Sequence, residues 1–200
     1  NGRKITLEGK QKALRNSREI HVPGDPSSAA FPLVAALLVK EADVIIKNIC
    51  INPLRTGLFT TLKEMGAALT IKNVRDSGGD EIADLHIKSS QLKAVEVPAE
   101  RAPSMIDEFP ILAMAAANAE GTTIMRGLGE LRVKESNRLE RIASGLVACG
   151  VDTEIKGDDL YITGTPNEVR GGAVVDSAMD HRIAMSFLIL GLTSQQPVEV

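Results

Sequence analysis

Two hundred residues, 44% hydrophobic and 24% charged, make an ordinary globular composition, which excludes a mainly disordered, collagenous or coiled-coil chain. Lys and Arg number 23 against 26 Asp and Glu, for a net charge of −3, and there is no Trp and one Tyr. Neither a basic excess nor aromatic stacking platforms point to nucleic acid, and none is expected as a partner.

Lys4 to Glu8 alternates like a strand, and Lys10 to Arg18 is a polar connection. We read residues 1–18 as the tail of a preceding N-terminal domain with its crossover. A different grammar begins at residue 19, and it repeats. The longest apolar stretch, Ala29 to Val39, contains Pro32 and is too short to span a bilayer. Asn1-Gly2-Arg3-Lys4 does not lead into an apolar signal segment, so no membrane partner is expected. Cys50 and Cys149 make no disulfide framework, and a reducing, cytoplasmic setting fits them.

Within the apolar stretch, Phe31-Pro32-Leu33-Val34-Ala35-Ala36 recurs as Phe109-Pro110-Ile111-Leu112-Ala113-Met114. Leu62-Lys63-Glu64-Met65-Gly66-Ala67 corresponds to Leu146-Val147-Ala148-Cys149-Gly150-Val151, and Asp84-Leu85-His86-Ile87 to Asp159-Leu160-Tyr161-Ile162. The spacing predicts a longer Gly-rich hairpin loop around Asn73 to Ala83 in the first copy. The second copy is the easier to parse. Val95 to Val97 is a short strand, Glu108 to Ala119 an apolar helix closed by Gly121, and Thr122 to Met125 a β-branched strand. Glu135 to Cys149 has an amphipathic helical pattern that Gly150 stops. Val151 to Ile155 and Leu160 to Thr163 face each other across Lys156-Gly157-Asp158 as a hairpin. A third copy starts near Ala173, with the apolar helix Ile183 to Leu192 and a next strand at Val198.

The expected fold is therefore α/β, with repeated βαβαββ units over 19–90, 94–164 and a truncated 172–200. The first helix of each unit is apolar nearly all round and is expected to be buried, its fellows lying parallel to it. The second helix keeps a wet face. Both ends of the chain look cut, and we expect a fragment of a two-domain enzyme, residues 19–200 being the C-terminal-half domain.

Three charged motifs stand out. Arg132-Val133-Lys134-Glu135-Ser136-Asn137-Arg138 falls at a helix start, with Lys134 and Arg138 four apart on one face and Glu135 beside Arg138. Cations there oppose the helix dipole unless an anion joins them, so the motif is either an anion site or a solvated face. Asp180-His181-Arg182 precedes the third apolar helix. Asp180 suits an N-cap, Arg182 a carboxylate or phosphate, and His181 a proton donor or, by preference, packing or a secondary contact. Asp107-Glu108 occupies the matching place before Phe109, and Asp25 the first copy's, where with no cation beside it capping is its expected role. If the buried helices start at one end, Asp107, Lys134, Glu135, Arg138, His181 and Arg182 share one mouth. Carboxylates and cations together there suit acid–base chemistry on a phosphorylated, carboxylated ligand. His21, His86 and His181 give no metal-ligand spacing with the two Cys, and no phosphate-loop or nucleophile-elbow motif is present.

The sequence resembles the enolpyruvyl transferases. The matching stretches are Val22-Pro23-Gly24-Asp25-Pro26-Ser27-Ser28, Asn52-Pro53-Leu54-Arg55-Thr56-Gly57, Ala102-Pro103-Ser104-Met105-Ile106-Asp107-Glu108, Leu131 to Leu139 and Asp180-His181-Arg182-Ile183-Ala184-Met185. They cover nearly the whole chain from residue 19. The resemblance implies two domains closing on a cleft and transfer of the enolpyruvyl group of phosphoenolpyruvate to the 5-hydroxyl of shikimate 3-phosphate. No cofactor or metal is implied, and a monomer is expected. Asp107 is then the base for the hydroxyl proton and Glu135 the acid for the methylene carbon. Lys134 becomes a shikimate-phosphate ligand, and Arg138 and Arg182 the pair on the phosphoenolpyruvate carboxylate, with His181 nearby. Asn137 departs from the family's usual Asp, and Glu130 stands where many members have Asn. The branch using UDP-N-acetylglucosamine and a non-catalytic module of the same fold are the alternatives. The 200 residues by themselves are expected to be inactive.

Overall fold

The computed structural model of the chain describes residues 4, 6–10, 21–166 and 168–200. Most of the tail read over residues 1–18 lies outside these. Lys4, Thr6, Leu7 and Glu8 are exposed and belong to no strand.

Asp25 opens the first apolar helix, its carboxylate accepting from the Ser28 N–H at 2.8 Å. Pro26 fills the first turn, where a missing N–H costs nothing, and α1 runs Pro26–Leu38. There follow β1 (Asp43–Cys50), α2 (Gly57–Glu64), β2 (Ala68–Ser77) and β3 (Asp80–Lys88). The three strands form an antiparallel sheet in the order β1-β3-β2. After the short β4 (Glu96–Val97), the same order recurs as α3 (Phe109–Ala117), β5 (Gly121–Met125), α4 (Arg138–Ala148), β6 (Asp152–Lys156) and β7 (Asp159–Gly164). Here the sheet order is β4-β5-β7-β6, with β4 parallel to β5 and the other pairs antiparallel. Helix α5 (His181–Gly191) comes last, flanked by isolated parallel bridges Gly171–Gln196 and Val174–Glu199.

Apolarity decides the layering. Every residue of α3 is buried, and α1 and α5 pack against it. Its alanines let neighbouring backbones come close, while Phe109, Ile111, Leu112 and Met114 fill the gaps. Each large side chain so withdrawn is worth about 1.5–3 kcal/mol. Helix α4 buries Leu139, Ile142 and Leu146 and leaves Glu140 and Val147 exposed, as its amphipathic pattern requires.

The loop expected around Asn73 to Ala83 is not a loop. Strand β2 continues to Ser77 and β3 begins at Asp80, joined through Gly78 and Gly79 at φ +69° and +95°, the left-handed conformations of a tight hairpin. A bulge between Lys72 and Arg75 faces another between Ile46 and Ile49 across β3. Asp84 stitches the two bulges together, accepting from the Asn48 N–H at 3.0 Å and the Asn73 side-chain amide at 2.9 Å. Polar residues at the bulge break the alternation, which is why this stretch reads as loop.

Candidate active site

Helices α1, α3 and α5 begin at one end of the core, and the charged motifs meet there. The segment before α4 is not the continuous helix that the sequence suggests. A 3-10 turn over Gly129–Val133 ends at Lys134, whose backbone is extended, and α4 starts only at Arg138. Asn137 supplies the cap, its side-chain oxygen accepting from the Glu140 N–H at 3.3 Å. The departure from Asp at this position therefore keeps the capping function. It also means that Lys134 and Arg138 do not share a helix face; the loop, not helical spacing, brings them together.

Arg138 is the hub. Its side chain has no exposure at all. The guanidinium donates through Nε to Asp180 Oδ2 at 2.8 Å, through Nη1 to Asp107 Oδ1 at 3.0 Å and through Nη2 to Glu135 Oε2 at 2.5 Å. Burial alone would weaken its charge, but the three carboxylates reverse that and raise its pKa, so the cation is locked in. Asp180 is equally enclosed. It accepts from Ser136 Oγ at 3.0 Å and from the Arg182 N–H at 3.0 Å, which makes it both the cap of α5 and the counter-ion of Arg138. Burial pushes its carboxyl up, yet Arg138, the Arg182 amide and the Ser136 hydroxyl together pull it below the usual range.

The outer layer is wetter. Lys134 Nζ lies 3.9 Å from Asp107 Oδ1 and 3.9 Å from Glu130 Oε1. Arg182 Nη1 donates to the Asp107 carbonyl at 3.3 Å, and its Nη2 is 4.0 Å from Asp107 Oδ2. The expected constellation of Asp107, Lys134, Glu135, Arg138 and Arg182 is thus gathered in one place. His181 opens α5 as an exposed residue with no hydrogen bond or ion pair among the described residues, so the packing weighed for it does not form.

Asp25 caps α1 as expected, but a cation does stand beside it in space: Arg55 reaches its carboxylate at 3.2 Å and the Ser27 hydroxyl at 3.1 Å. Burial raises that carboxyl, and the Ser28 contacts with Arg55 outweigh it, so its pKa is lowered. Ser27 and Arg55 carry no expected role in the sequence, and Glu108 only that of a companion to Asp107. Pairings of Arg55 with α1 and of Glu108 with α5 join distant stretches, and nothing in local spacing announces them. Among the described residues no three His, Cys, Asp or Glu side chains are grouped as metal ligands, and no helix is long and apolar enough to cross a membrane.

Chemically, the arrangement offers two carboxylates held at a fixed separation by a shared buried cation, with two further cations at the solvent edge. That suits proton transfer on a substrate whose phosphate and carboxylate groups the edge cations can take. Comparison with known proteins gives the same family over the whole length: residues 1–200 match the family described as EPSP synthase (3-phosphoshikimate 1-carboxyvinyltransferase). The 3-phosphoshikimate 1-carboxyvinyltransferase of Methylorubrum populi is 57% identical over all of this chain and 44% of its own length. That of Bradyrhizobium sp. (strain ORS 278) is 59% identical with the same coverage. The chain therefore spans less than half the length of these relatives. Among solved structures, EPSP synthase from Acinetobacter baumannii superposes with a TM-score of 0.87 at 46% identity, over 90% of this chain and 42% of that one. The enolpyruvyl transferase NikO from Streptomyces tendae, at 24% identity and a TM-score of 0.61, shares the fold over 86% of this chain and 37% of its own.

Proposed function

We propose that this chain, which belongs to the EPSP synthase family, is the part of a 3-phosphoshikimate 1-carboxyvinyltransferase that supplies the acid and base of the reaction. One observation carries the reading: the single buried guanidinium of Arg138 ties Asp107 to Glu135, with Lys134 and Arg182 at the rim.

In this reading Asp107 takes the proton of the 5-hydroxyl of shikimate 3-phosphate as its oxygen bonds to C2 of phosphoenolpyruvate. Glu135 gives a proton to the methylene carbon, and the product of these two steps is a tetrahedral ketal. Glu135 then reclaims a proton from the new methyl group as phosphate leaves C2 with the proton that Asp107 had taken, which re-forms the carbon–carbon double bond, now in an enol ether. Lys134, at the rim beside Asp107, takes the shikimate phosphate in this reading, and Arg182 the phosphoenolpyruvate carboxylate. The resemblance pairs Arg138 with Arg182 in that task, but its enclosure among three carboxylates favours a different job: holding acid and base in register. His181, exposed at the same mouth, is available to a ligand phosphate.

The same reading includes a second domain closing the cleft, a monomeric cytoplasmic enzyme and no cofactor. The two successive helix–strand–helix–strand–strand runs are read as repeat units, residues 172–200 as part of a third, and residues 1–18 as the approach from the other domain. The test is phosphate release from phosphoenolpyruvate by the complete enzyme. Turnover is expected with shikimate 3-phosphate and none with UDP-N-acetylglucosamine; the opposite preference would reassign the substrate.

A further inference from the structure

Glu108 precedes α3 at the point where α1, α3 and α5 converge, and its side chain is 6% exposed. Its Oε1 is buried and has no hydrogen-bond partner among the described residues. An ionised carboxylate oxygen left in that state is costly, whereas a neutral acid tolerates it far better. The nearest cation is Arg182, whose Nη1 lies 3.9 Å from Oε1, too far for a hydrogen bond but close enough for a strong field. The other groups facing Glu108 are Ser27 of α1, Arg55 behind Ser27, and Asp107 on its own turn. Burial is the largest influence and raises the Glu108 carboxyl; Ser27, Arg182 and Arg55 oppose it, and Asp107 adds to it.

Arg182 thus stands between two carboxyl groups, Asp107 and Glu108, with its outer face at the mouth. We propose that Glu108 is a positioning residue for Arg182 that works through its proton: as the neutral acid it leaves the guanidinium free to take the anionic substrate, and once ionised it competes for that charge. The inference rests on the reading of Arg182 as the phosphoenolpyruvate carboxylate ligand. Linkage requires the reverse effect as well: a carboxylate bound at Arg182 favours protonation of Glu108, so binding takes up a proton.

The experiment uses the complete enzyme and measures KM for phosphoenolpyruvate and kcat from about pH 4.5, near the ordinary carboxylate value, to 8.5, in the parent, Glu108→Gln and Arg182→Ala. The ratio of variant to parent KM cancels the titration of the ligand's own phosphate. For Glu108→Gln this ratio is expected near one at the acid end, falling about three- to tenfold towards the alkaline end, with the change in KM rather than kcat. A ratio that does not vary with pH overturns the proposal. If Arg182→Ala leaves KM unchanged, the reading of Arg182 itself fails; if it raises KM while the Glu108→Gln ratio stays flat, only the role of Glu108 fails. Should Glu108→Gln not fold, calorimetry of phosphoenolpyruvate binding to the parent, in two buffers of different ionisation enthalpy, supplies the answer. Proton uptake beyond the ligand's own share is expected, and none at any pH overturns the proposal.

Discussion

Arg138 and Asp180 meet at 2.8 Å with neither side chain exposed to solvent. Such a pair contributes little net stability compared with an apolar replacement of both, but removing one partner strands the other charge in the interior. Asp180→Ala is therefore expected to cost about 3–5 kcal/mol in urea unfolding. Asp180→Asn, which keeps the cap on α5, should recover about 1 kcal/mol of that loss. Equal losses for the two variants would show that the cap contributes nothing.

Two enclosed carboxyls pull the stability in opposite directions with pH. Asp180 has a lowered pKa, so its contribution is present above the unfolded value near 3.9 and fades as pH falls through the folded one. Glu108 has a raised pKa, so its contribution is full below the unfolded value near 4.3 and is lost as pH rises through the folded one. Unfolding free energies of the parent and Glu108→Gln, compared across pH 3 to 8, should diverge in favour of the variant as pH rises. Parallel curves would contradict the assignment.

Arg132 fixes the loop that carries Lys134 and Glu135. Its guanidinium reaches Asp158 at 3.2 Å, the Gly157 carbonyl at 2.7 Å and Glu140 at 3.0 Å, so the loop is tied to both the β6–β7 hairpin and α4. Because these contacts are partly solvated, Arg132→Ala is expected to leave stability nearly unchanged. Misplacing the loop should nevertheless lower kcat/KM of the complete enzyme by about tenfold or more. Unchanged kinetics would mean that the loop holds its position without the anchor.

Gly164, at the end of β7, lies against the backbone carbonyls of Ala116 and Ala119 at the end of α3. Neither carbonyl belongs to a flexible side chain, so an added methyl group forces strand and helix apart. Gly164→Ala is expected to lose about 2–3 kcal/mol, which thermal unfolding would register as a Tm drop of several degrees. An unaltered Tm would show that the sheet can slide on α3.

The secondary structure was legible where apolar periodicity was strong. The all-apolar Phe109 to Ala117 announces a buried helix, and Lys156-Gly157-Asp158 announces a hairpin. The convergence of Asp107, Lys134, Glu135, Arg138 and Arg182 followed from placing each motif at the start of a helix and asking where those starts meet. What stayed hidden was tertiary pairing. Asp180 read as a simple cap, because its ion pair with Arg138 joins distant stretches of chain. Glu108 read as a companion of Asp107, because burial depends on α1 and α5 closing over it. The β2–β3 bulge was misread for a local reason: Asn73, Arg75 and Asp76 are polar, and polar runs resemble loops until a partner strand claims their backbone.

The steady-state kinetics of Glu135→Gln in the complete enzyme, with phosphoenolpyruvate and shikimate 3-phosphate, test the proposed chemistry most directly. The carboxamide preserves size and hydrogen bonding to Arg138 but cannot shuttle the proton. We expect kcat to fall by about 10²–10⁴ while KM for phosphoenolpyruvate stays within a few-fold of the parent. A kcat close to the parental value would contradict the assignment of Glu135 as the acid.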